Sequence, residues 1–267
     1  MFANCFTLAC NKKINITITG ALGRMGKILI NRITRNKNLK LHSLTDVKVG
    51  KKIKNIKVQK NSLEAFKKAD VIIDFSRPKS SIEILNYAKK LKKKVIIGTT
   101  GFTKSEENIV KNFSKKIAIF KSGNMSLGIN LLEYITKTLS KKIPNDYQIG
   151  ISDNHHKAKI DYPSGTALML ASAVAKGRGK SLDKLKGKSF LNKKGNLQNK
   201  KINFFITRKG KTIGKHSVIY NNKIESIELK HTAFSRELFA DGALNAAIWI
   251  SKKNKGLFNM QDMFNLK

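Results

Sequence analysis

The sequence predicts an α/β protein with an N-terminal, doubly wound parallel sheet and a C-terminal α+β domain with a mixed or antiparallel sheet. Three observations predict this fold. Short apolar runs alternate with helically spaced segments through the first half of the chain, as in a parallel sheet covered by helices. A glycine-rich turn separates the first run from the first helical segment. Beyond residue 200, three strand-like segments follow one another without a helical segment between them.

The elements of the first half are predicted from their apolar spacing. The runs at 71–75 and 95–97 are almost continuously apolar, which is typical of parallel strands covered on both faces. The predicted strands of this half are 14–19, 39–44, 71–75, 95–97 and 117–120, and the predicted helices are 26–34 and 80–92.

The pattern changes after residue 126, where longer helical segments and isolated strands begin. The basic segment 176–200 contains few apolar residues and is predicted to be a mobile loop. We therefore expect a first domain at 12–126, rejoined by 236–267, and a second domain at 127–235. The predicted elements here are helices at 127–139, 163–176 and 235–250 and strands at 147–152, 201–207, 214–220 and 224–230.

The formal net charge of +37 raises the question of a nucleic-acid partner. Only 7 of the 54 basic residues are arginine, the residue best suited to recognising phosphates and bases. The lysines are spread along the whole chain, and the 1 Trp and 5 Tyr offer few stacking platforms. We interpret the charge as solvated surface and expect no specific nucleic-acid partner.

The N-terminal segment 1–11 bears on the compartment. It contains Cys5 and Cys10, which match neither a metal site nor a disulfide framework. It has no basic stretch ahead of its apolar residues, which argues against a secretory signal. No apolar stretch of the sequence reaches the length of a membrane span. We expect a reduced, cytoplasmic location and no membrane partner.

Residues 20–26, Gly-Ala-Leu-Gly-Arg-Met-Gly, lie between the first predicted strand and helix. Such glycines allow a tight turn and the approach of a pyrophosphate, as in a Rossmann-type domain, although a glycine turn without a ligand is the alternative. Asp46, after the second strand, can bind a ribose and favours the dinucleotide interpretation. We also assign two later turns to the cofactor site. The alternatives are that 98–101 is a simple glycine turn and that 122–126 is an interdomain hinge. The candidate cofactor-binding residues are Gly20, Ala21, Leu22, Gly23, Arg24, Met25, Asp46, Gly98, Thr99, Thr100, Ser122, Gly123, Asn124 and Met125.

Residues 155–166, His-His-Lys-Ala-Lys-Ile-Asp-Tyr-Pro-Ser-Gly-Thr, place two imidazoles and two amines just ahead of a predicted helix. A helix start attracts an anion such as a carboxylate. Pro163 suits the first turn, Ser164 and Thr166 add hydroxyl donors, and Gly165 lets a ligand approach the backbone. The segment therefore predicts a site that holds a small acid and moves protons on it. Exposed loop histidines and a surface lysine are the alternative.

Other roles are open to some of these residues. A zinc site at the histidines is conceivable, but no third His, Cys or carboxylate stands at ligand spacing, so no metal is expected. Asp153 and Asp161 could orient the imidazoles or cap the helix. Arg236 is either a surface charge or a partner of the pocket.

Together these motifs resemble the dihydrodipicolinate reductase (4-hydroxy-tetrahydrodipicolinate reductase) family over nearly the whole chain after residue 11. The segment 155–166 is the most specific part of the resemblance. The other matching motifs are 20–26, Asp-Phe-Ser-Arg-Pro at 74–78, Gly-Thr-Thr-Gly-Phe at 98–102, Gly-Asn-Met-Ser-Leu-Gly-Ile-Asn at 123–130, and Arg236 with Phe-Ala-Asp-Gly-Ala at 239–243.

The resemblance implies an oxidoreductase that uses NADH or NADPH to reduce 4-hydroxy-tetrahydrodipicolinate to tetrahydrodipicolinate, in the diaminopimelate route of lysine biosynthesis. It implies that His155 is the acid/base residue and that Lys159 is a proton donor. It also implies that the first domain binds the dinucleotide, while the second binds the substrate and forms a homotetramer through its sheet. The implied substrate-binding residues are His156, Ser164, Gly165, Thr166 and Arg236.

Asp46 also bears on the choice of cofactor. Some family members carry an arginine where this chain has Val47, and that arginine binds the 2′-phosphate of NADP. Lys48 could substitute, but a carboxylate at position 46 disfavours the phosphate, so we expect a preference for NADH. Met125 stands where an aromatic residue is common, which predicts a softer contact with the nicotinamide.

Two other functions are compatible with parts of the sequence. Another two-domain, Rossmann-type reductase or amino-acid dehydrogenase for a small carboxylate would share the glycine-rich turn, but would not require segment 155–166 in this form. A basic nucleic-acid-binding protein would require clustered arginines and aromatic platforms, which the sequence does not offer.

Overall fold

The computed structural model describes residues 12–266 except 194, 196 and 197, so the expectations for segment 1–11, with Cys5 and Cys10, lie outside the described residues. The described chain divides into two compact units: residues 12–122 with Ala240–Asn259, and Gly123–Phe239 with residues 260–266. The first contains a largely parallel sheet and the second a mixed sheet, so the predicted fold class is confirmed.

The secondary structure follows the chain as strands β1–β13 and helices α1–α9 within the described residues. The strands are β1 (Ile14–Thr19), β2 (Leu39–Thr45), β3 (Lys52–Ile53), β4 (Ile56–Gln59), β5 (Val71–Asp74), β6 (Lys94–Ile97), β7 (Ala118–Lys121), β8 (Gln148–His155), β9 (Lys186–Leu191), β10 (Ile202–Arg208), β11 (Gly214–Asn221), β12 (Ser226–Ala233) and β13 (Gly256–Phe258). The helices are α1 (Arg24–Ile33), α2 (Leu63–Lys67), α3 (Pro78–Lys90), α4 (Lys104–Ser114), α5 (Leu127–Lys142), α6 (Gly165–Gly177), α7 (Leu182–Leu185), α8 (Glu237–Ile250) and α9 (Met260–Phe264).

The sheet of the first unit has the order β13-β7-β6-β5-β1-β2-β4-β3 among the described strands. Its neighbours are parallel except for the β3–β4 hairpin. Ile72 and Ile73, consecutive residues of β5, are both fully buried, which explains the continuous apolar run. The carboxyl ends of β1, β2, β5 and β6 lie side by side, where open sheets of this kind bind ligands.

The sheet of the second unit has the order β12-β11-β8-β10-β9 in the described chain. β8 is parallel to β10 and antiparallel to β11, which makes the sheet mixed. Along β8, Ile149 and Ile151 belong to the core built with α5 and α6. Because alternate residues of a strand share a face, Asp153 and His155 continue this row at the carboxyl end of β8.

The prediction of a mobile loop at 176–200 is wrong for much of that segment, because it forms α7 and the edge strand β9. β9 pairs in parallel with β10, and Phe190 stacks on Phe205 with ring centroids 5.6 Å apart. The two lysines and few apolar residues of β9 hid it, since edge strands often carry charged side chains that discourage pairing with another chain.

The C-terminal region was expected to rejoin the first domain over residues 236–267, but its last residues group with the second unit. Asp241 of α8 pairs with Arg32 of α1 at 2.7 Å within the first unit, and β13 pairs with β7. α9 instead groups with the second unit, where Gln261 Nε2 donates to Glu133 of α5 at 2.9 Å. No helix in the described residues is both long and apolar enough to cross a membrane.

Candidate active site

The segment 155–166 connects β8 to α6. β8 runs through His155, three residues beyond the predicted end, so this histidine lies on the sheet and not in a loop. Pro163 is not in the first turn of α6 as predicted: it precedes the N-cap, and its peptide bond with Tyr162 is cis. Ser164 takes the cap position because its hydroxyl accepts a hydrogen bond from the backbone N–H of Ala167.

Asp153 joins the end of β8 to the start of α6. Its buried carboxylate accepts hydrogen bonds from the backbone N–H and the hydroxyl of Ser164, each at 2.8 Å. Asp153 was one of two aspartates considered for orienting the imidazoles or capping the helix. In the structure it contacts both the histidines and the capping residue.

Two histidines converge on the same oxygen of Asp153. Nδ1 of His155 lies 3.0 Å and Nε2 of His216 lies 3.3 Å from Oδ1. Both contacts are at ion-pair distance, but within the described chain Nδ1 of His155 has no linearly aligned hydrogen-bond partner. The rings pack edge-on, with centroids 4.9 Å apart. His216 was missed from the sequence because it lies on β11, directly opposite Asp153 in the register.

Arg208, at the end of β10, was also missed. Its buried guanidinium donates to Oδ2 of Asp153 at 3.0 Å and to the backbone carbonyl of Asp153 at 2.8 Å. It also donates to the carbonyl of Asp161 at 2.9 Å. One sequence signal was present: Arg208 continues the row of alternate, core-facing residues of β10, where a charged side chain needs a buried partner.

Charge balance keeps Asp153 ionised. Burial alone would raise the pKa of this carboxyl, but contacts from His155, His216, Ser164 and Arg208 outweigh it and hold the pKa far below its usual range. Burial lowers the pKa of His216, against the opposing effect of Asp153. The site therefore combines a permanent negative charge with a ring that stays neutral near pH 7.

Lys159 lies in the loop between β8 and α6. Its ammonium donates to both carboxylate oxygens of Asp161, at 2.7 and 2.8 Å, and its side chain is 23% exposed. The ammonium of Lys159 holds the pKa of Asp161 below its usual value, although burial alone would raise it. His156, the next predicted residue, is half-buried and lies just after β8, which ends at His155.

The start of α6 brings two predicted groups together. Thr166 is half-buried, and its hydroxyl accepts a hydrogen bond from the amide of Asn124 at 3.0 Å. Asn124 was predicted to bind the cofactor, yet it belongs to the same unit as Thr166. Gly165 is exposed, and an added Cβ would meet no atom of the described chain within 4 Å. The backbone of this first turn is therefore open to a ligand.

Three side chains of this cluster could in principle hold a metal ion. Ligand atoms of Asp153, His155 and His216 lie within 4.8 Å of one another, an arrangement that sequence spacing did not reveal. The carboxylate of Asp153, however, already accepts from Ser164 and Arg208. A cation there would have to compete with the guanidinium at 3.0 Å. The donor set thus suits an ionic network of protein groups better than a metal centre.

The glycine-rich turn fits a dinucleotide. Gly20 has a φ of 65°, and an added Cβ at Gly26 would lie 2.3 Å from the carbonyl oxygen of Gly20, so both positions require glycine. Gly23, the N-cap of α1, provides no side-chain hydrogen bond to the helix start in the described chain. By contrast, Thr103 and Glu106 form a complete capping box on α4. In the described chain the start of α1 is therefore without a side-chain cap, as is the start of α3, and an uncapped helix start that follows a glycine-rich turn suits a pyrophosphate.

Asp46 follows β2 beside this turn. Its Oδ2 accepts a hydrogen bond from the backbone N–H of Leu22 at 2.9 Å, and its Oδ1 accepts from the N–H of Lys48 at 3.3 Å. Asp46 therefore shapes the turn as well as offering a half-buried carboxylate at the position suited to a ribose.

Asp74 organises the neighbouring strand ends, a role that sequence analysis did not assign. Its buried carboxylate accepts from four hydroxyls on different elements. Thr99 both donates to Asp74 at 3.0 Å and accepts from the N–H of Ser76 at 3.0 Å, which fixes the turn at 98–101. The four donors are Thr19, Ser76, Ser81 and Thr99.

The other predicted residues lie near the division between the two units or in a turn. Met125 is 2% exposed, and the division between the two units falls between Ser122 and Gly123. Arg236 is half-buried in the turn between β12 and α8.

The fold and these two candidate sites define a class: reductases and dehydrogenases that hold a nicotinamide dinucleotide on a parallel sheet and carry a second unit for a small acid. Sequence models of one family match the chain: "Dihydrodipicolinate reductase, N-terminus" over residues 14–125, and "Dihydrodipicolinate reductase, C-terminus" over residues 128–264. The chain belongs to the dihydrodipicolinate reductase family.

Individual relatives agree. A 4-hydroxy-tetrahydrodipicolinate reductase of Pelagibacter ubique (strain HTCC1062) is 52% identical, over 96% of this chain and 100% of the relative. The enzyme of the same name from Buchnera aphidicola subsp. Cinara cedri is 43% identical, over 94% and 97%.

Solved structures share the fold. The dipicolinate-bound dihydrodipicolinate reductase of Paenisporosarcina sp. TG-14 has a TM-score of 0.76 at 22% identity, covering 94% of this chain and 99% of the other. An aspartate dehydrogenase of Thermotoga maritima has a TM-score of 0.51 at 14% identity, covering 91% and 98%.

Proposed function

We propose that this chain catalyses the NAD(P)H-dependent reduction of 4-hydroxy-tetrahydrodipicolinate to tetrahydrodipicolinate, in the diaminopimelate route to lysine. Relatives named for this reductase support the proposal, because they align over both units. In the overall conversion the substrate loses its hydroxyl as water and gains a hydride and a proton. A bound NADH or NADPH supplies the hydride, so the chain itself has to bind carboxylates and handle protons.

One observation carries the proposal: the carboxylate of Asp153 joins His155 to the start of α6. Ser164 makes two 2.8 Å hydrogen bonds to this carboxylate, and His155 lies 3.0 Å from it. A helix start favours an anion, and an imidazole changes charge near neutral pH. This combination suits a small acid that has to exchange a proton.

The proposed roles follow from this geometry and from the family. His155 acts as the acid/base residue and Lys159 as the proton donor, and their side chains keep 10% and 23% exposure. The substrate carboxylates bind to His156 and to the first turn of α6, at Ser164, Gly165 and Thr166. Arg236 contributes a further positive charge.

A coupled assay tests the reaction and the site together. A synthase of the diaminopimelate route makes the labile substrate from pyruvate and aspartate semialdehyde, and nicotinamide absorbance reports its reduction. We expect His155→Gln and Lys159→Ala to lower kcat/KM by about 10²- to 10⁴-fold. Lys157→Ala is the matched control, since Lys157 is an exposed lysine of the same loop, and it should retain the activity of the unchanged protein.

Two outcomes would contradict this proposal. If the folded protein oxidises neither cofactor when substrate is supplied, the reaction is wrong, and substrates of other small-carboxylate reductases should be screened. If Lys157→Ala lowers activity as much as Lys159→Ala, general loss of positive charge explains the effect and Lys159 has no special role.

We further propose that NADH is the preferred cofactor, bound by the 20–26 turn, Asp46 and the turns at 98–100 and 122–125. The carboxylate of Asp46 would repel a 2′-phosphate, and its bond to Leu22 holds it against the turn. Lys48 is the nearby positive charge that would favour NADPH. The same assay, run with each cofactor, ranks them directly by kcat/KM.

Finally, we propose a cytoplasmic homotetramer assembled through the sheet of the second unit. The face of this sheet opposite α5 and α6 supports the proposal. Alternation along β8 and β11 turns Ser152 and Ile219 to that face, while Ile151 and Val218 lie in the core. A second copy of the chain would bury this row.

A further inference from the structure

We propose that Asp153 is the positioning residue for both proton-handling side chains, orienting the His155 ring directly and the Lys159 loop through Arg208. The inference rests on the roles proposed above for His155 and Lys159. Asp153 itself does not contact a ligand, because its side chain is 0% exposed. Its influence on the reaction therefore passes through its neighbours.

The first arm of this arrangement is the contact with His155. Oδ1 of Asp153 lies 3.0 Å from Nδ1 of His155, and this nitrogen is buried. The side chain nevertheless keeps 10% exposure, so a ligand reaches the ring away from Nδ1. Although this contact is not an aligned hydrogen bond, the negative charge of Oδ1 beside Nδ1 favours a proton on that nitrogen, which leaves Nε2 as the atom that exchanges protons.

His216 shares Asp153 but does not neutralise it. Its Nε2 lies 3.3 Å from Oδ1, and burial lowers the pKa of His216 against the opposing effect of Asp153. His216 therefore stays neutral, and the negative charge of Asp153 remains available to stabilise a protonated His155. The titratable or charged groups around His155 are Asp153 on β8, His216 on β11 and Arg208 on β10, and Lys159 in the loop acts on His216.

The second arm runs through Arg208. This side chain is 6% exposed and donates both to Asp153 Oδ2, at 3.0 Å, and to the carbonyl of Asp161, at 2.9 Å. Asp161 in turn holds the Lys159 ammonium at 2.7 Å. Arg208 thereby fixes the backbone of the loop that carries Lys159. Without Asp153, the guanidinium would be a buried, uncompensated charge, and its hydrogen bond to the carbonyl of Asp161 would weaken.

Asp153→Asn tests the proposal because it keeps the shape of the side chain and removes the charge. We expect kcat to fall by about 10²- to 10⁴-fold and the pH profile of kcat to change, while KM for the dicarboxylate rises because Asp153 also holds Ser164 at the substrate-binding helix start. Asp153→Glu, which restores the charge, should recover part of the loss. Asp146→Asn, the same change at an exposed site of this unit, should leave both parameters and the pH profile unchanged.

A spectroscopic measurement separates this proposal from the proposed reaction. Nitrogen-15 NMR of the imidazoles, assigned by single His→Gln variants, reports which ring nitrogen of His155 carries the proton. We expect the proton on Nδ1 in the unchanged protein and on Nε2 in Asp153→Asn. This result does not depend on the substrate, so it holds even if the coupled assay shows no reduction.

Two results would overturn the positioning role. One is a folded Asp153→Asn protein in which the tautomer of His155 and the pH profile of kcat are both unchanged. The other is a loss of kcat in Asp153→Asn that Asp153→Glu does not relieve at all. If Asp153→Asn does not fold, Arg208→Lys provides the second test: it should lower kcat without moving the His155 tautomer. An Arg208→Lys protein with unchanged kcat would show that Asp153 does not position the Lys159 loop through Arg208.

Discussion

At the scale of single residues, the site depends on the absence of a side chain at one glycine as much as on its charged residues. Gly214 begins β11 beside the two histidines, and its backbone is ordinary for a strand. An added Cβ would lie 3.3 Å from Nε2 of His155 and 3.3 Å from Cε1 of His216. A side chain at position 214 would therefore displace the rings of His155 and His216. The displaced atoms include Nε2 of His155, the nitrogen that we propose exchanges protons.

We predict that Gly214→Ala impairs activity more than stability. The rings have to move by a few tenths of an ångström, and misplaced catalytic groups cost about 10²-fold for displacements near 1 Å, so we expect a loss of about tenfold in kcat. The free energy of unfolding, from urea titration, should change by about 1 kcal/mol or less. Lys215→Ala, on the opposite face of β11, is the control; equal losses in both variants would refute the steric explanation.

Sequence analysis proposed the candidate residues that lie close together along the chain. His155 at the end of β8, Lys159 in the following loop and Ser164 at the cap of α6 belong to one short segment, so the sequence pattern and the family resemblance predicted them together. His216 and Arg208 come from strands that only the sheet register brings beside β8. Pairing register depends on contacts between distant segments, and a single sequence contains no direct signal for it.

At the scale of elements, the packing of β11 against α5 includes a buried phenol. Tyr220 is fully buried, and its hydroxyl is hydrogen-bonded to Ser140 Oγ at 2.6 Å and donates to the carbonyl of Thr136 at 3.2 Å. Burial raises the pKa of Tyr220 to about 12. The neutral phenol therefore forms part of the contact between sheet and helix.

This contact predicts how stability depends on alkaline pH. The folded state retains the phenol proton up to about pH 12, whereas the unfolded chain loses it near pH 10, so folding is favoured less as pH rises between these values. The contribution of Tyr220 to the free energy of unfolding should fall by about 1.4 kcal/mol per pH unit in this window.

Urea unfolding of the unchanged protein and of Tyr220→Phe at pH 8, 10 and 11 measures this effect. The variant should be less stable at pH 8 by about 1 kcal/mol, through loss of its hydrogen bonds, and the difference should shrink above pH 10. Tyr134→Phe, a half-buried tyrosine on α5, serves as the control. A constant difference between the protein and Tyr220→Phe across the three pH values would contradict the prediction.

Among the elements, long apolar patterns were predictable and short ones were not. Five strands of the first unit (β1, β2, β5, β6 and β7) and the long helices α5, α6 and α8 were placed within a few residues, because burial imposes a clear period on their sequences, whereas β4 and α4 were not predicted. β3 and β13 contain two and three residues, too few to show alternation. β9 was hidden by its basic, edge position.

At the scale of the whole molecule, the proposed assembly makes a direct prediction. Ile219 points away from the helices of its unit on an interior strand, so we expect it to be buried against another copy of the chain. Light scattering should give a mass four times the 29.9 kDa of one chain, and Ile219→Glu should lower it without changing the far-UV circular dichroism.

Val47→Glu is the matched control for this experiment, because Val47 is an apolar residue that is 88% exposed in the first unit. It should leave the mass unchanged. A chain that is monomeric before any substitution, or an Ile219→Glu protein of unchanged mass, would show that the uncovered sheet face is not the assembly surface.

The division of the first unit along the chain has a consequence for synthesis on the ribosome. Residues 12–122 are synthesised before the whole of the segment Gly123–Phe239, whereas Ala240–Asn259, which supply β13 and most of α8, are synthesised after it. At about 5–20 residues per second, the intervening segment delays them by on the order of ten seconds. During that interval the nascent chain presents β7 as an open edge, which in other proteins invites mispairing. The sheet and the two long helices of the second unit come from one uninterrupted stretch, so they can form while the first unit still waits for its last strand.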